Sequence, residues 1–246
     1  MRLFSLRMTL AMPALALCLS GASFVDGALL QASAQAKKSS HRVLREGMFG
    51  LTRLDFATVV MLGDSLTEGA LWSEITGCAF VVNRGIGGDK ADGISKRLDE
   101  VTKLKPTAVF LMVGVNDIAS DVPVEKIVDR VRQTIRRLTK AGSQVYLTLV
   151  LPVAESFTRK LNPKINELNA AYTVLALQTK VTVIDFRADM RTEEGFLRDE
   201  LSVDGLHLAP DGYRIWRDAV MPLVAKHCSQ DPRTKSASAA VPAVAR

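Results

Sequence analysis

Residues 57–66 read ATVVMLGDSL, an apolar run that stops abruptly at glycine, aspartate and serine. Valine- and leucine-rich runs of this kind are typical of strands that are buried on both faces of a parallel sheet. Similar runs recur along the chain. Together they predict strands at Thr58–Leu62, Phe80–Asn83, Ala108–Val113, Gln144–Leu151 and Val181–Ile184.

Amphipathic segments separate these runs, and their periodicity predicts helices. Between residues 123 and 140, apolar residues recur at helical steps, with Pro123 at the start and Gly142 just past the end. Similar patterns predict helices over residues 90–104, about 163–179 and about 210–227. Strands that alternate with helices in this way favour an α/β fold with a doubly wound parallel sheet, covered by helices on both faces.

Length and composition fit one α/β domain. The chain has 246 residues, of which 48% are hydrophobic and 24% charged, so wholesale disorder is excluded. The net charge is +6, but lysine and arginine are scattered beside aspartate and glutamate, so no nucleic-acid partner is predicted. We assign the domain to residues 57–228, after a partly helical lead-in over 37–56. Residues 229–246 are rich in alanine, serine and proline and are expected to form a disordered tail.

The first 36 residues have the pattern of a signal peptide. Arg2 and Arg7 precede an apolar run, Thr9–Leu19, which is shorter than the roughly 20 residues of a membrane span. We favour cleavage after Ala36, with earlier small-residue sites and an uncleaved anchor as alternatives. The sequence therefore predicts a periplasmic or secreted protein with no stable membrane span once residues 1–36 are removed.

Polar residues and glycines cluster where the predicted strands end. In chain order these segments are Gly63–Leu66, Asn83–Asp89, Gly114–Asp117 and, after the fifth strand and a loop, Asp204–His207. Ligands of open parallel sheets bind beyond the carboxyl ends of the strands. We therefore expect a single functional site that is built from these four loops.

The residue types in these loops fit acyl transfer by a serine nucleophile. A serine hydroxyl needs an adjacent base, and His207 is the best candidate because His41 precedes the core and His227 lies near the tail. Asp204 lies three residues before His207, where its carboxylate can accept the Nδ1–H and fix the tautomer. We predict Ser65 as the nucleophile, His207 as the general base and Asp204 as the acid that orients it.

The oxyanion that forms during acyl transfer requires hydrogen-bond donors. The backbone N–H groups of Ser65 and Gly88 and the side-chain amide of Asn116 are predicted to supply them. Glycines in the second loop let the backbone approach a ligand without a Cβ in the way. Three further residues are expected to support the site: Asp64, Gly87 and Asp117.

The four loops resemble the sequence blocks of the SGNH (GDSL-type) hydrolase superfamily over residues 57–226. Each of the family's namesake positions is matched, by Ser65, Gly88, Asn116 and His207. The segment Asn83–Asp89 and the Leu151-Pro152 pair look most like the branch that contains platelet-activating-factor acetylhydrolase catalytic subunits and small bacterial acyl esterases. The resemblance implies a flavodoxin-like, three-layer α/β/α fold with strand order 2-1-3-4-5. It also implies metal-free hydrolysis of ester or thioester bonds through an acyl-enzyme.

Two cysteines lie outside the leader, Cys78 and Cys228. They form no cluster with histidine at metal spacing, so neither a metal site nor a cofactor is predicted. In the strand order given above, the first and last helices lie on the same face of the sheet. Because Cys78 follows the first helix and Cys228 ends the last, we expect a disulfide between them, with two separate thiols as the alternative.

We expect a serine esterase that acts on short-acyl carboxylic esters, because no long insertion that could form a lipase lid is evident. The candidate substrates are an O-acetylated glycan, a lysophospholipid or a small ester, and no oligomeric state is predicted. Two alternatives use the same fold. One is an acyltransferase that acylates sugar hydroxyls, and the other is a non-catalytic module that binds carbohydrate or the cell envelope. The intact Ser65 and His207 pair argues against the non-catalytic module.

Overall fold

The computed structural model describes residues 40–158 and 160–234. The predicted signal peptide over residues 1–36 and the part of the predicted tail beyond residue 234 lie outside the described residues. Among the helices that are described, none has both the length and the apolar character that a membrane crossing requires.

Five strands form a sheet in which every neighbouring pair is parallel. They are β1 (Val59–Gly63), β2 (Val81–Gly85), β3 (Ala108–Met112), β4 (Gln144–Thr148) and β5 (Thr182–Ile184). Their order is β2-β1-β3-β4-β5, which confirms the predicted fold class. Gly63 at the end of β1 lies opposite Gly85 of β2 and Met112 of β3. The loops that leave these three strands therefore start side by side at one edge of the sheet.

Helices pack on both faces of the sheet. They are α1 (40–50), α2 (Ser65–Glu68), α3 (Trp72–Thr76), α4 (Ala91–Lys96), α5 (Leu98–Thr102), α6 (Val115–Ile118), α7 (Val124–Lys140), α8 (Leu161–Thr179) and α9 (Pro210–Gln230). Two short 3₁₀ segments, Arg187–Asp189 and Asp199–Leu201, lie between β5 and α9.

Two hydrophobic cores flank the sheet, one on each face. Alternate residues of β1 point into different cores: Val60 and Leu62 pack with α4, α5, α7 and α8, whereas Val59 and Met61 pack with α2, α3 and α9. All four of these side chains are buried. Because both faces of the strand are covered, its sequence is an unbroken apolar run instead of an alternating one.

The segment predicted as one helix over residues 90–104 is divided into α4 and α5 at Arg97, where φ is −107° and ψ is 17°. Arg97 is buried, and its guanidinium contacts the Asp89 carboxylate at 2.8 Å and the carbonyl oxygen of Arg84 at 2.8 Å. A buried arginine requires such partners. The helix therefore breaks where this side chain turns inward.

Helix α9 continues to Gln230, beyond residue 229 where the predicted tail begins, and the structure describes the chain through residue 234. Asp231 is buried and accepts a hydrogen bond of 2.9 Å from the Thr58 hydroxyl. It also pairs with Arg233 at 2.7 Å. These polar contacts fix the chain beyond the helix, although the composition there is that of a disordered segment.

The disulfide expected between Cys78 and Cys228 is present, with a Cα–Cα distance of 6.5 Å. Cys78 precedes the first residue of β2, so the bond lies at the amino ends of the strands. It fastens the end of α9 to the segment that follows α3. The opposite end of α9 follows the loop that carries His207.

Candidate active site

Ser65 is the first residue of α2 and directly follows the turn at the end of β1. Asp64 caps this helix, because its Oδ1 accepts the backbone N–H of Leu66 at 3.0 Å. The turn is tight: a Cβ added at Gly63 would lie 2.1 Å from the Thr67 hydroxyl and 2.5 Å from the Met112 carbonyl oxygen. Only glycine fits this position, and it lets the chain reverse so that Ser65 stands at the sheet edge.

The structure brings Ser65, His207 and Asp204 together in hydrogen-bonding order. The Nε2 atom of His207 lies 3.0 Å from the Ser65 Oγ, and its Nδ1 lies 2.7 Å from the Asp204 Oδ2. The side chains of His207 and Asp204 are half-exposed, at 40% and 48%. This is the geometry that lets an imidazole take a proton from a serine hydroxyl while a carboxylate holds the ring.

The Asp204 carboxylate is held by the backbone as well as by the ring. Its Oδ1 accepts the N–H of His207 at 2.7 Å and the N–H of Leu206 at 3.0 Å. Desolvation by itself would raise the pKa of Asp204. The hydrogen bonds from the ring and backbone of His207 and from Leu206 outweigh it and lower that pKa. Asp204 is therefore a carboxylate at neutral pH.

Ser202 shapes the loop that carries His207, and sequence reasoning did not identify it. Its hydroxyl donates to the His207 carbonyl oxygen at 2.8 Å and accepts the N–H of Gly205 at 2.8 Å. The backbone N–H of Val203 donates to the same His207 carbonyl at 2.9 Å. Serine, aspartate and glycine all favour turns, and their grouping within residues 202–205 is the feature that could have revealed it.

The loop after β2 lies beside the Ser65 turn and carries Gly88. The Ile86 N–H donates to the Gly63 carbonyl at 3.1 Å, which joins this loop to the end of β1. Gly88 has a φ of +76°, a conformation that favours glycine. The Asn116 side-chain amide, delivered by α6, donates to the Asp89 carbonyl at 3.1 Å. The structure thus gathers the predicted oxyanion donors on adjoining loops.

Asp117, which we expected to support the site, caps α4. Its two carboxylate oxygens lie 3.1 and 3.3 Å from the N–H of Ala91. Burial raises the pKa of Asp117 to about 6, against the lowering effects of the Ala91 N–H and the Lys90 charge. Asp117 thereby holds α4, the helix that directly follows the Gly88 loop.

Asp64 lies in the same buried acidic region. Burial raises the pKa of Asp64 to about 7; the Leu66 N–H opposes this shift and the nearby Asp89 charge adds to it. Asp89 is fully buried and is paired with Arg97 at 2.8 Å and with Arg42 at 2.6 Å. Asp89 therefore has two cationic partners, whereas Asp64 and Asp117 accept hydrogen bonds from backbone N–H groups.

Within residues 40–158 and 160–234, no group of three or more His, Cys, Asp or Glu side chains is placed to hold a metal ion. The groups at the sheet edge are a hydroxyl, an imidazole, a carboxylate and amide donors. Together they can activate a nucleophile and stabilise an oxyanion, which are the requirements of acyl transfer.

Comparison with known proteins agrees with this chemistry. Residues 61–215 match the model of the GDSL-like lipase/acylhydrolase family. The isoamyl acetate-hydrolyzing esterase of Saccharomyces cerevisiae is 24% identical over 207 residues, which cover 70% of this chain and 87% of the yeast protein. The platelet-activating factor acetylhydrolase IB subunit alpha1 of Rattus norvegicus is 26% identical over 183 residues, covering 70% of this chain and 77% of the rat protein.

A solved structure shares the architecture as well. The crystal structure of an acetyl xylan esterase, AlAXEase, superposes with a TM-score of 0.60 at 26% identity. The match covers 68% of this chain and 98% of the esterase.

Proposed function

The chain belongs to the GDSL-like lipase/acylhydrolase family and is an ester hydrolase, and we propose that it is a serine esterase that removes short acyl groups, acetyl above all, through an acyl-enzyme. The observation that carries the proposal is the hydrogen-bonded series from Ser65 Oγ to His207 Nε2 at 3.0 Å and from His207 Nδ1 to Asp204 Oδ2 at 2.7 Å.

In the acylation step, the Ser65 Oγ attacks the ester carbonyl carbon while His207 Nε2 takes the hydroxyl proton. The carbonyl π electrons move to oxygen, and the N–H groups of Ser65 and Gly88 and the Asn116 amide stabilise the oxyanion. Asp204 stabilises the imidazolium that forms. When the tetrahedral intermediate collapses, the bond to the leaving oxygen breaks and His207 returns the proton to it, which releases the alcohol.

In the deacylation step, water takes the place of the alcohol. His207 removes a proton from the water as its oxygen attacks the acyl carbon of the Ser65 ester. Collapse of the second tetrahedral intermediate breaks the bond to Ser65 Oγ, which recovers its proton from His207. The products are the free acid and the regenerated serine.

The preference for short acyl groups rests on the openness of the site and on the chemistry named in the relatives. The side chains of His207 and Asp204 are 40% and 48% exposed, so a substrate reaches Ser65 directly from solvent. A large alcohol portion of the ester can therefore remain outside the site. The yeast relative is named for an acetate ester, the rat relative is named an acetylhydrolase, and the superposed structure is an acetyl xylan esterase. An O-acetylated glycan and a small acetate ester both fit these features, whereas a lysophospholipid carries a long acyl chain and serves as the long-chain substrate in the test.

The test is hydrolysis of p-nitrophenyl esters of increasing chain length, with acetylated glycans and lysophospholipid alongside. We expect kcat/KM to be highest for acetate and Ser65→Ala to lose turnover while it keeps its fold. A fluorophosphonate probe should label the wild type and not Ser65→Ala. Faster turnover of long-chain esters would contradict the proposed acyl preference. Absence of both turnover and labelling would favour a binding module.

Addition of a sugar acceptor distinguishes hydrolysis from transfer. If the chain is a hydrolase, the acetyl group of the substrate appears as free acetate in the presence of xylooligosaccharide. An acetylated oligosaccharide as the main product would identify an acyltransferase, which uses the same Ser65 and His207 chemistry with a sugar hydroxyl in place of water.

We also propose that the protein works outside the cytoplasm. Two features support this: the signal-peptide pattern of residues 1–36 and the disulfide between Cys78 and Cys228, since such bonds persist in oxidising compartments. Expression of the full-length chain in a Gram-negative host, followed by osmotic shock and N-terminal sequencing, should yield a periplasmic protein that begins near residue 37. Retention in the cytoplasm with residues 1–36 still attached would contradict it.

A further inference from the structure

Glu68 connects the helix that begins at Ser65 to the loop that carries Gly88. It is the last residue of α2, and its Oε2 accepts the backbone N–H of Gly87 at 2.6 Å. The side chain is mostly buried, with 20% exposure. This hydrogen bond fixes the peptide between Ile86 and Gly87, one peptide unit before the N–H of Gly88, the group that faces the oxyanion in the proposed reaction.

Helix α1, which precedes the hydrolase domain in sequence, holds the Glu68 carboxylate from its other side. Arg45 Nε lies 3.0 Å from Glu68 Oε1, and His41 Nε2 lies 3.0 Å from Glu68 Oε2. The Arg45 guanidinium also donates to the Gly85 carbonyl at 3.0 Å, so it contacts the start of the same loop. Both oxygens of Glu68 thus have fixed partners.

The same helix is anchored to the domain at two further points. The buried Phe49 ring lies under the guanidinium groups of Arg84, at 4.6 Å, and Arg45, at 4.9 Å. Arg42 pairs with the buried Asp89 carboxylate at 2.6 Å. Cation–π and charge-assisted contacts of this kind are among the stronger polar interactions available to a helix at the surface. Helix α1 therefore contacts the Gly88 loop at Gly85 and, through Arg42, at Asp89.

We propose that Glu68 is a positioning residue for the oxyanion site, and that helix α1, through Arg45 and His41, holds it in place. This inference rests on the proposed function. Gly87 and Gly88 lack a Cβ, so few steric barriers fix the peptide between them. The hydrogen bond from the Gly87 N–H to Glu68 fixes the chain at the start of this glycine pair and so limits the directions that the following peptide can take. Its loss leaves the Gly88 N–H misdirected in the transition state, while binding of the uncharged ester is little affected.

The experiment compares kcat and KM for p-nitrophenyl acetate in the wild type, Glu68→Ala, Glu68→Gln and a control, Asp231→Ala. Asp231 is also a buried carboxylate that accepts side-chain hydrogen bonds from two residues, Thr58 and Arg233, but it lies near the amino end of β1, opposite the site. Its replacement should lower stability and leave kcat unchanged. Urea unfolding of all four proteins measures the free energy of unfolding that each variant loses, so that this loss can be compared with the change in kcat.

We expect kcat of Glu68→Ala to fall about 10- to 100-fold with KM within about threefold of wild type, and fluorophosphonate labelling to slow in parallel. Glu68→Gln should recover most of kcat, because its amide oxygen can still accept the Gly87 N–H. A kcat of Glu68→Ala within about threefold of wild type overturns the proposal. An equal loss of kcat in Asp231→Ala at equal loss of stability also overturns it.

Arg45→Met keeps the test decisive if Glu68→Ala does not fold. It leaves Glu68 in place and removes one of its partners, so kcat should fall about two- to tenfold at unchanged KM. Unchanged kcat in Arg45→Met overturns the role of helix α1. A wild-type protein that hydrolyses no ester contradicts the proposed function itself, an outcome that is distinct from any result with the variants.

Discussion

The hydroxyl of Tyr213 donates a hydrogen bond of 2.9 Å to the carbonyl oxygen of Leu66, which ties α9 to the helix that begins at Ser65. Helix α9 follows the loop of His207, so this bond links the two chain segments whose side chains meet at the site. Burial, with the nearby Asp64 and Glu68 charges, raises the pKa of Tyr213 to about 12, so the hydroxyl remains a donor at every working pH.

Tyr213→Phe removes only this bond. We expect a loss of about 0.5–1.5 kcal/mol in the free energy of unfolding, the usual net value of a buried hydrogen bond. We also expect a fall in kcat of less than about tenfold, because the Ser65–His207 distance becomes less restrained. Urea unfolding and steady-state kinetics on p-nitrophenyl acetate measure the two effects.

Tyr146→Phe is the matched control. The Tyr146 hydroxyl lies 2.9 Å from His227 Nε2. His227 is in the last turn of α9, at the end of that helix that is remote from the His207 loop. We expect a similar loss of stability and no change in kcat. Equal kcat values for the two Phe variants would show that the Tyr213 bond stabilises the fold without any effect on the site.

The disulfide between Cys78 and Cys228 closes a segment of 150 residues. Because cross-links over long segments restrict the unfolded chain, we expect Cys78→Ala/Cys228→Ala to lose about 2–5 kcal/mol of unfolding free energy. Treatment with dithiothreitol should lower the urea midpoint of the wild type to that of the double variant and leave the double variant unaffected. Identical midpoints for oxidised wild type and double variant would contradict this prediction.

The sheet and the meeting of the site loops could be predicted from the sequence because they depend on local patterns. Apolar runs mark the strands, and the polar residues that follow them, including Ser65 and Asn116, must meet at the carboxyl edge of a parallel sheet. The spacing of Asp204 and His207 within one loop is likewise local. These features need no knowledge of distant contacts.

The features that escaped prediction depend on buried charges with distant partners. Arg97 interrupts a well-patterned helix because its guanidinium donates to the Asp89 carboxylate and to carbonyl oxygens of β1 and β2. Asp231 fixes the start of a segment with a disordered composition because it accepts a hydrogen bond from Thr58, which lies 173 positions away in sequence. The role of Glu68 is hidden for the same reason, since its partners come from α1 and from the loop after β2. Neither periodicity nor composition records such pairings.

Asp64→Asn should change how stability depends on pH. The folded-state pKa of Asp64 is about 7, whereas an unfolded aspartate has a pKa of about 3.9. The neutral carboxyl therefore stabilises the fold fully below about pH 4, and this contribution is lost as the pH rises through about 7. Asparagine is also a good N-cap and cannot ionise, so the variant avoids this loss.

We expect the stability of Asp64→Asn relative to wild type to increase by about 2–3 kcal/mol between pH 5 and pH 8, at about 1.4 kcal/mol for each unit of pKa difference. Urea unfolding at several pH values measures the difference. Parallel stability curves for the two proteins would mean that Asp64 is already ionised in the folded state at pH 5.

Asp204→Asn should be more damaging than Asp204→Ala, although asparagine is the closer match in shape. In the native loop the Oδ1 atom accepts the N–H groups of Leu206 and His207, and the Oδ2 atom faces the ring Nδ1. An asparagine must keep its only oxygen toward the two backbone donors, so its NH₂ group points at Nδ1 and stabilises the tautomer with the proton on Nε2. That tautomer cannot accept the Ser65 proton, and kcat should fall about 10³- to 10⁴-fold.

In Asp204→Ala, water can reach the half-exposed ring and either tautomer can form, so the loss should be about 10- to 100-fold smaller. If Asp204→Ala proves the slower enzyme on p-nitrophenyl acetate, the residue acts mainly by holding the loop and the ring in place, and tautomer control by this loop is ruled out.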